Sequence, residues 1–555
     1  MRGSLHAVVF DRSGRTGAIA TDGSPTRTGP TSLILDAVRQ LEAESEPPRW
    51  VIWNGAALTT LVTAGIRPRR VWDLSQAHLL WVGGSTASTQ VVWAVARGLD
   101  TATIPAPRRG DLFDLSAPGS DGDDDLLDAA GHLNPAAIDD GWPTTAHLGG
   151  FAELAVVAAR AQQDLLAERP HAVSTAASES GAALLCAELG HDGLPVDRTV
   201  MEGLITEAVG PRPTNEADAA RMRRERDAQV LDLAPGRPGV DLRNPAHVRE
   251  FLRSLGVQVD DTRAWNLEPY RGAHPAVAAL LEWRKAERIA TTYGWNWLDA
   301  HVGKDGRLRG PWTPCDGGAG RMTAGAGLHS LPIALRPGIA ADTGHVLVRA
   351  DLGQVEPRVL AVVSGDSALA AATAADDLYA TVAAQLHVDR QAAKIAVLAA
   401  MYGQTSGTAA DALRRMDRAY PQAMAYLRAA AERGQTGQSV ITYGGRLVRV
   451  ATADDPARQR ALGRFTRNAV VQGAAAEFFK AWALTVRDAL RPLDAHIVLC
   501  LHDELLVHAP QQHAEATARV VTDALAAAAH HWSGGAPVRF VADTRVIHRW
   551  SEAKD

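Results

Sequence analysis

Six residues in three separated stretches have the types and spacing to handle charged oxygen atoms. The segment "VLCLHDELLVH", residues 498–508, sets His502, Asp503 and Glu504 between two aliphatic runs. The segment "HVLVRADLGQVEPRVLAVVSGD", residues 345–366, reads as a strand that ends at Asp351 and hands over to a helix, so that carboxylate is exposed yet held by rigid backbone. If the two strands are neighbours, Asp351 and Asp503 can face one pair of divalent ions about 4 Å apart, an arrangement that activates an attacking oxygen and stabilises a leaving one. Hard oxygen donors select magnesium, with manganese as a substitute, over zinc. Between them, in "DRQAAKIAVLAAMYGQT", Arg390, Lys394, Leu398 and Tyr402 recur every four residues and form a row along one side of a helix. An Arg and a Lys one turn apart suit a triphosphate, because they offset charge developing on phosphoryl oxygens. Each feature alone has a plainer reading, a helix cap for Asp351 and a solvated basic edge for the helix.

These side chains need elements to hold them. "HIVLCL", a turn at His502 to Glu504 and "LLVHA" predict a hairpin with Asp503 at its tip. Residues 1 to about 195 alternate β-rich runs such as "HAVVF" and "RWVIW" with Ala-rich helical stretches, which predicts an α/β domain. From about 196 to 300 the pattern is helical, and the basic run Arg221, Arg223, Arg224 and Arg226 reads as an exposed face interleaved with Glu225 and Asp227. The Gly- and Asp-rich stretch "SAPGSDGDDDLLD", residues 116–128, lacks the ligand spacing of a calcium loop and reads as a solvated surface loop.

The 555-residue chain, 46% hydrophobic and 22% charged, can afford a large core. It has no apolar run long enough for a membrane span and no apolar leader at "MRGSLHAVVFDRSG", so a cytoplasmic location with no membrane partner is expected. A net charge of -6 excludes indiscriminate coating of nucleic acid but leaves room for a basic cleft. Cys186, Cys315 and Cys500 are too scattered for a metal knuckle or a disulfide framework and read as packing residues.

Taken together, "RADLGQVEPRVLAVVSGD", "RQAAKIAVLAAMYG" and "LHDELLVH" resemble, in order, the three polymerase motifs of family A DNA polymerases. "GRMTAGAGLHSLPIALR", "RFTRNAVVQGAAAEFFK" and the thumb-like "HPAVAALLEWRKAERIATTY" extend the resemblance over roughly residues 195–555. It implies a right-hand polymerase, with an α+β palm at 301–375 and 436–555, helical fingers at 376–435 and a helical thumb at 196–300. It also implies that Asp351 and Asp503, helped by the Leu352 carbonyl, bind two Mg2+ ions, with Glu504 as the second acid of the hairpin. Arg390 and Lys394 would hold the incoming deoxynucleoside triphosphate, Lys394 donating a proton to the leaving pyrophosphate. Gln354, Tyr379, Leu398 and Tyr402 would complete the nucleotide site, and Glu356 matches the gate that fills the space of a ribose 2'-hydroxyl. Arg321, Arg464, Asn468 and Gln472 match readers of the primer-template minor groove, and His502 would support the primer end. The expected protein is a monomeric DNA-directed DNA polymerase; a non-catalytic DNA-binding scaffold is the alternative outside enzymes.

The sequence departs from the family pattern in several places. Leu398 stands where Phe or Tyr is usual, Val397 where Asn is, Leu352 and Gly353 where Tyr and Ser are, and Tyr379 where a His contacts phosphate. An aliphatic residue at 398 fills space but cannot stack as a ring does. Residues 1–195 resemble the ribonuclease H-like 3'-5' exonuclease domain of the same family, with Asn54 and Asp73 in matching non-catalytic positions. The catalytic acids are eroded: Asp11 remains, Ser13 and Leu58 replace two others, and only Glu179 can stand in for the last. Several acids must converge in a two-metal hydrolase, so an inactive domain is expected, with a rearranged site of Asp11, Asp22 and Glu179 as its rival. The chain is also expected to lack the family's separate 5' nuclease domain.

Overall fold

The computed structural model describes residues 4–106, 125–139, 141–236, 239–403 and 409–553, which leaves residues 116–124 of the acidic stretch outside the described residues. Its contacts divide the chain into two compact units, one of residues 1–192, 311–324 and 344–546, the other of 193–310, 325–343 and 547–555.

Two larger sheets organise the first unit, beside three two-stranded pairs among the described residues. Near the N-terminus, β1 (Leu5–Phe10), β2 (Thr16–Thr21), β3 (Ser24–Pro30), β4 (Arg49–Ile52) and β5 (Arg70–Asp73) form a mixed sheet in the order β3-β2-β1-β4-β5. β1, β2 and β3 pair antiparallel, and β4 and β5 run parallel to β1. Parallel neighbours need both faces covered, and the inner strands are accordingly apolar throughout: Val8, Val51, Ile52 and Trp50 are fully buried. This is the α/β arrangement that the β-rich runs predicted.

The second sheet takes the order His496–Leu501, Glu504–Pro510, His345–Leu352, Ala542–Ile547. Its middle strands interleave Val346, Leu347, Val348 and Ala350 with Leu505, Leu506 and Val507, all nearly inaccessible to solvent. The 34-residue helix Pro456–Ala489 packs against it, started by Asp455, whose side chain accepts from the Arg458 amide. The helix Ala172–Asp192 serves both sheets. Ala183 and Leu184 sit in the core of the N-terminal sheet, and Ala182, Leu185, Cys186 and Leu189 in the core of the second.

The second unit is built on helices Arg198–Val209, Glu216–Leu231, Pro245–Ser254 and Pro275–Thr292, with Val230, Val248, Phe251, Leu252, Leu280 and Trp283 in its core. Arg221 is spent on Asp218 and Glu225 along its own helix, as an exposed, charge-interleaved face requires. All three cysteines are buried and unpaired, as the packing reading expected. Among the described residues, no helix is long and apolar enough to cross a membrane.

Candidate active site

Strand His345–Leu352 pairs antiparallel with Glu504–Pro510, and Asp351 lies directly opposite Glu504. The hairpin before Glu504 is closed by the Leu501–Glu504 pair, so its turn contains only His502 and Asp503. The three-residue turn expected from sequence is thus shortened, because Glu504 joins the strand and is buried. A two-residue hairpin demands a positive φ, which His502 supplies at 53°. The Leu352 amide donates to the Asp503 carbonyl at 2.9 Å, tying the turn to the end of the neighbouring strand. Asp351 and Asp503, 152 positions apart in the sequence, thereby reach the same edge of one sheet.

This edge is crowded with negative charge. Burial raises the Asp503 carboxyl, and Asp351, Glu504 and Glu356 raise it further, to about 6. Arg349, two residues before Asp351 on the same face of the strand, offsets part of that charge. Its buried guanidinium donates through Nε to Glu504 at 2.6 Å and through Nη2 to Asp351, and it reaches Asp543 at 3.5 Å. An arginine inside an apolar strand was the available signal, and the sequence reading passed over it.

Beside the two aspartates opens a cleft of about 250 Å³ whose lining includes Leu352, Gln354, Glu356, Tyr379, Leu398, Tyr402, Arg321, His502 and Asp503. Phe479, Ala475 and Ala476 of the long helix complete the wall, and sequence reading did not assign them. Glu356 sits at the centre of a network: Arg321 Nη2 donates to one oxygen and Tyr402 Oη to the other, each at 2.9 Å. Tyr402 also bonds Gln472, and burial together with Glu356 pushes its hydroxyl up to about 12. Burial, then the charge of Glu356, likewise carries Tyr379 to about 12.

Gln354 occupies the left-handed region at φ 48°, and its side-chain oxygen accepts from the Leu378 amide and from Arg358. It therefore fixes the floor of the cleft in addition to lining it. Arg358, wholly buried, donates to the carbonyls of Gly353, Thr373, Ala375, Asp376 and Arg539, gathering three chain segments behind the site.

Helix Arg390–Tyr402, capped by Asp389, presents the expected row. Leu398 and Tyr402 enter the cleft, whereas Arg390 and Lys394 lie further along, exposed and outside its wall. Arg390 is paired with Asp377 at 2.5 Å and stands over the Tyr379 ring. An exposed pair of this kind is worth little and yields readily to a phosphate. Arg464, Asn468 and Gln472 recur at four-residue intervals on the long helix; Arg464 is exposed and the Asn468 side-chain oxygen is buried without a hydrogen-bond partner among the described residues.

The N-terminal sheet does not assemble its acids. Asp11 follows β1 and is consumed in its own turn, accepting from Ser13 Oγ and the amides of Arg15 and Thr16. Asp22 follows β2 at the opposite end of that hairpin, about 17 Å away at strand rise, and binds Arg160. Glu179 is fully buried and turned toward Lys480 of the long helix and Arg446. Asn54 Oδ1 accepts from the Ala56 amide just before the helix Ala56–Thr63, Leu58 is core, and Asp73 caps the helix Leu74–Val82.

The family model of DNA polymerase family A matches residues 253–552, more than half of the chain, and spans every residue of the cleft. The chain belongs to DNA polymerase family A. DNA polymerase I of Chloroflexus aurantiacus is 30% identical over 328 residues, covering 54% of this chain and 34% of that protein. The thermostable DNA polymerase I of Thermus filiformis is 29% identical over 294 residues, 47% of this chain and 35% of its own length. This family A chain spans about a third of the length of the curated relatives it matches. Its fold is similar, with a TM-score of 0.71 over 100% of this chain and 97% of the other at 20% identity, to the polymerase domain of Pol1 from M. smegmatis solved with primer-template DNA and dNTP.

Proposed function

We propose that the protein is a template-directed DNA polymerase that adds deoxynucleotides to a primer 3' end. The observation that carries this reading is the meeting of Asp351 and Asp503 on adjacent strands, beside a cleft walled by Glu356, Leu398 and Tyr402. The elevated Asp503 carboxyl fits a divalent-ion site, because like charges crowded at one edge cost free energy that a bound cation removes. Asp351, Asp503 and the Leu352 carbonyl would hold two Mg2+ ions. When bound, the ions would supply charge offset for attack of the primer hydroxyl on the α-phosphate and departure of pyrophosphate.

The chain's own groups do the rest. Arg390 and Lys394 receive the triphosphate tail, and Lys394 donates a proton to the leaving group. Tyr379 offers a neutral hydroxyl beside Arg390. Glu356, fixed by two donors, occupies the space beside the sugar and disfavours ribose. Arg321, Arg464, Asn468, Gln472 and His502 contact the primer-template duplex. On this reading the second sheet with the long helix is the palm, residues 376–435 are the fingers and 196–300 the thumb.

The strand order β3-β2-β1-β4-β5 supports reading the N-terminal sheet as ribonuclease H-like, and the dispersal of Asp11, Asp22 and Glu179 supports its inactivity in proofreading. We place the protein in the cytoplasm as a monomer acting in repair or replication. Extension of a primed template by the full chain, measured with Asp351→Asn and Asp503→Asn, tests the reading. Each change is expected to reduce extension more than about a hundredfold, beyond the loss typical of groups that only orient a metal ligand. Undiminished synthesis in either variant would overturn it.

A further inference from the structure

Glu179 lies in helix Ala172–Asp192, beyond the polymerase motifs, and yet its carboxylate is paired with Lys480, the residue that follows Phe479 of the cleft wall, and with Arg446. It is 0% exposed. One oxygen accepts from Lys480 Nζ at 2.6 Å, and the other pairs with Arg446 Nη2 at 2.8 Å. Both cations are as inaccessible as the acid: Lys480 is 1% and Arg446 3% exposed. Two buried cations against one carboxylate leave an excess of positive charge, and the nearby buried Glu477, which accepts from Thr442 and the Gly444 amide and which burial lifts to about 7, offsets it only in part. Buried charges persist only where paired, so removing Glu179 would leave both cations without their partner.

Both cations bear on one residue. Lys480 Nζ also donates to the Gly320 carbonyl at 2.6 Å. The Arg446 guanidinium packs so closely on the other side of Gly320 that a Cβ there would come within 2.6 Å of its Nε, and Arg446 Nη1 donates to Cys315 Sγ at 3.1 Å in the preceding strand. Gly320 has φ +65°, a turn conformation other residues adopt poorly. It immediately precedes Arg321, which holds Glu356 from the cleft side. A continuous chain of contacts therefore runs from Glu179 through Lys480 and Arg446 to Gly320, Arg321 and Glu356.

We propose that Glu179 is a positioning residue of the polymerase site: the N-terminal domain fixes the Gly320 turn through two buried cations, and so sets how firmly Glu356 is held against the sugar of the incoming nucleotide. The N-terminal domain then contributes to sugar selectivity without touching DNA or nucleotide. This inference rests on the polymerase reading given above.

The test is the ratio of kcat/KM for a deoxynucleotide to that for the matching ribonucleotide, measured on a primed template with the wild type, Glu179→Gln and Arg321→Ala. A ratio is insensitive to the fraction of folded enzyme, so a purely structural role would lower yield or melting temperature and leave it unchanged. Glu179→Gln is expected to lower the ratio about tenfold, in the range found for groups that orient a site residue, and to add little to Arg321→Ala in the double variant. If Glu179→Gln does not fold, Glu179→Gln with Lys480→Met removes the acid together with one of its two cations, the donor to Gly320, and the same fall is expected. A wild-type ratio in whichever of these variants folds would overturn the assignment and leave the polymerase reading intact. No extension by the wild type would overturn both.

Discussion

At the scale of single residues, Leu398 is the departure with the clearest consequence. It lines the cleft one turn before Tyr402, where an aromatic ring would present a flat face to the nucleotide. Offset stacking is worth about 0.5–1.5 kcal/mol beyond area burial, so Leu398→Phe is expected to lower the nucleotide KM by about twofold to tenfold with less effect on kcat. Steady-state kinetics with a single nucleotide on a primed template checks this, and unchanged constants would count against the cleft as the nucleotide site. The acids and the Leu398–Tyr402 row were legible because polar groups flanked by aliphatic runs stand out in one sequence. Lys480 and Arg446 were not, since their shared partner arrives from a distant segment: Lys480 and Glu179 are 301 positions apart. A lone Glu in an Ala-rich helix looks like a surface residue until its neighbours are known.

Among the elements, the short helix Leu74–Val82 carries an unusual cap. Asp73 accepts from the Gln76 amide, is 1% exposed, and leaves its second oxygen buried without a partner. Burial outweighs the cap's hydrogen bonds and lifts this carboxyl to about 7. An unfolded chain ionises Asp near 3.8, so between pH 4 and 7 the native state binds more protons than the unfolded state. The stability Asp73 contributes in its neutral form is complete below about pH 4 and is lost as pH rises through 7. Asp73→Asn keeps the cap and removes the titration. It should therefore match the wild type near pH 4 and exceed it at pH 8 by on the order of 2 kcal/mol. Denaturant melts across this range test the point, and parallel curves would exclude it. Both the strand-to-helix junction at Asp351 and the hairpin were readable from alternation and turn chemistry. The two-residue length of that turn was not, because it depends on Leu501 pairing with Glu504, an acid whose polarity assigns it to the turn.

For the molecule as a whole, the chief departure from a string of separate domains is the shared helix Ala172–Asp192. Its two sides serve two cores, and its Glu188 pairs with Arg487 at 2.5 Å as Glu179 does with Lys480. The N-terminal sheet and the second sheet are thus expected to unfold in one calorimetric transition; two resolved transitions assigned to them would show that the shared helix does not couple them. Composition and hydropathy predicted the α/β character of the first 195 residues, yet carried no information on how closely that region is integrated with the rest. The coupling is made by side chains whose hydropathy favours the surface, and a pattern-based reading assigns them there.

Glu179 also constrains an engineering route. A nuclease centre could be sought in the N-terminal sheet by placing acids at positions 13 and 58 and drawing the carboxylate at 179 toward them. That last step would strip the counter-ion from Lys480 and Arg446 inside the protein, so the new site would be gained at the cost of the scaffold behind Gly320. An acid already committed to neutralising buried cations is not free for a second task.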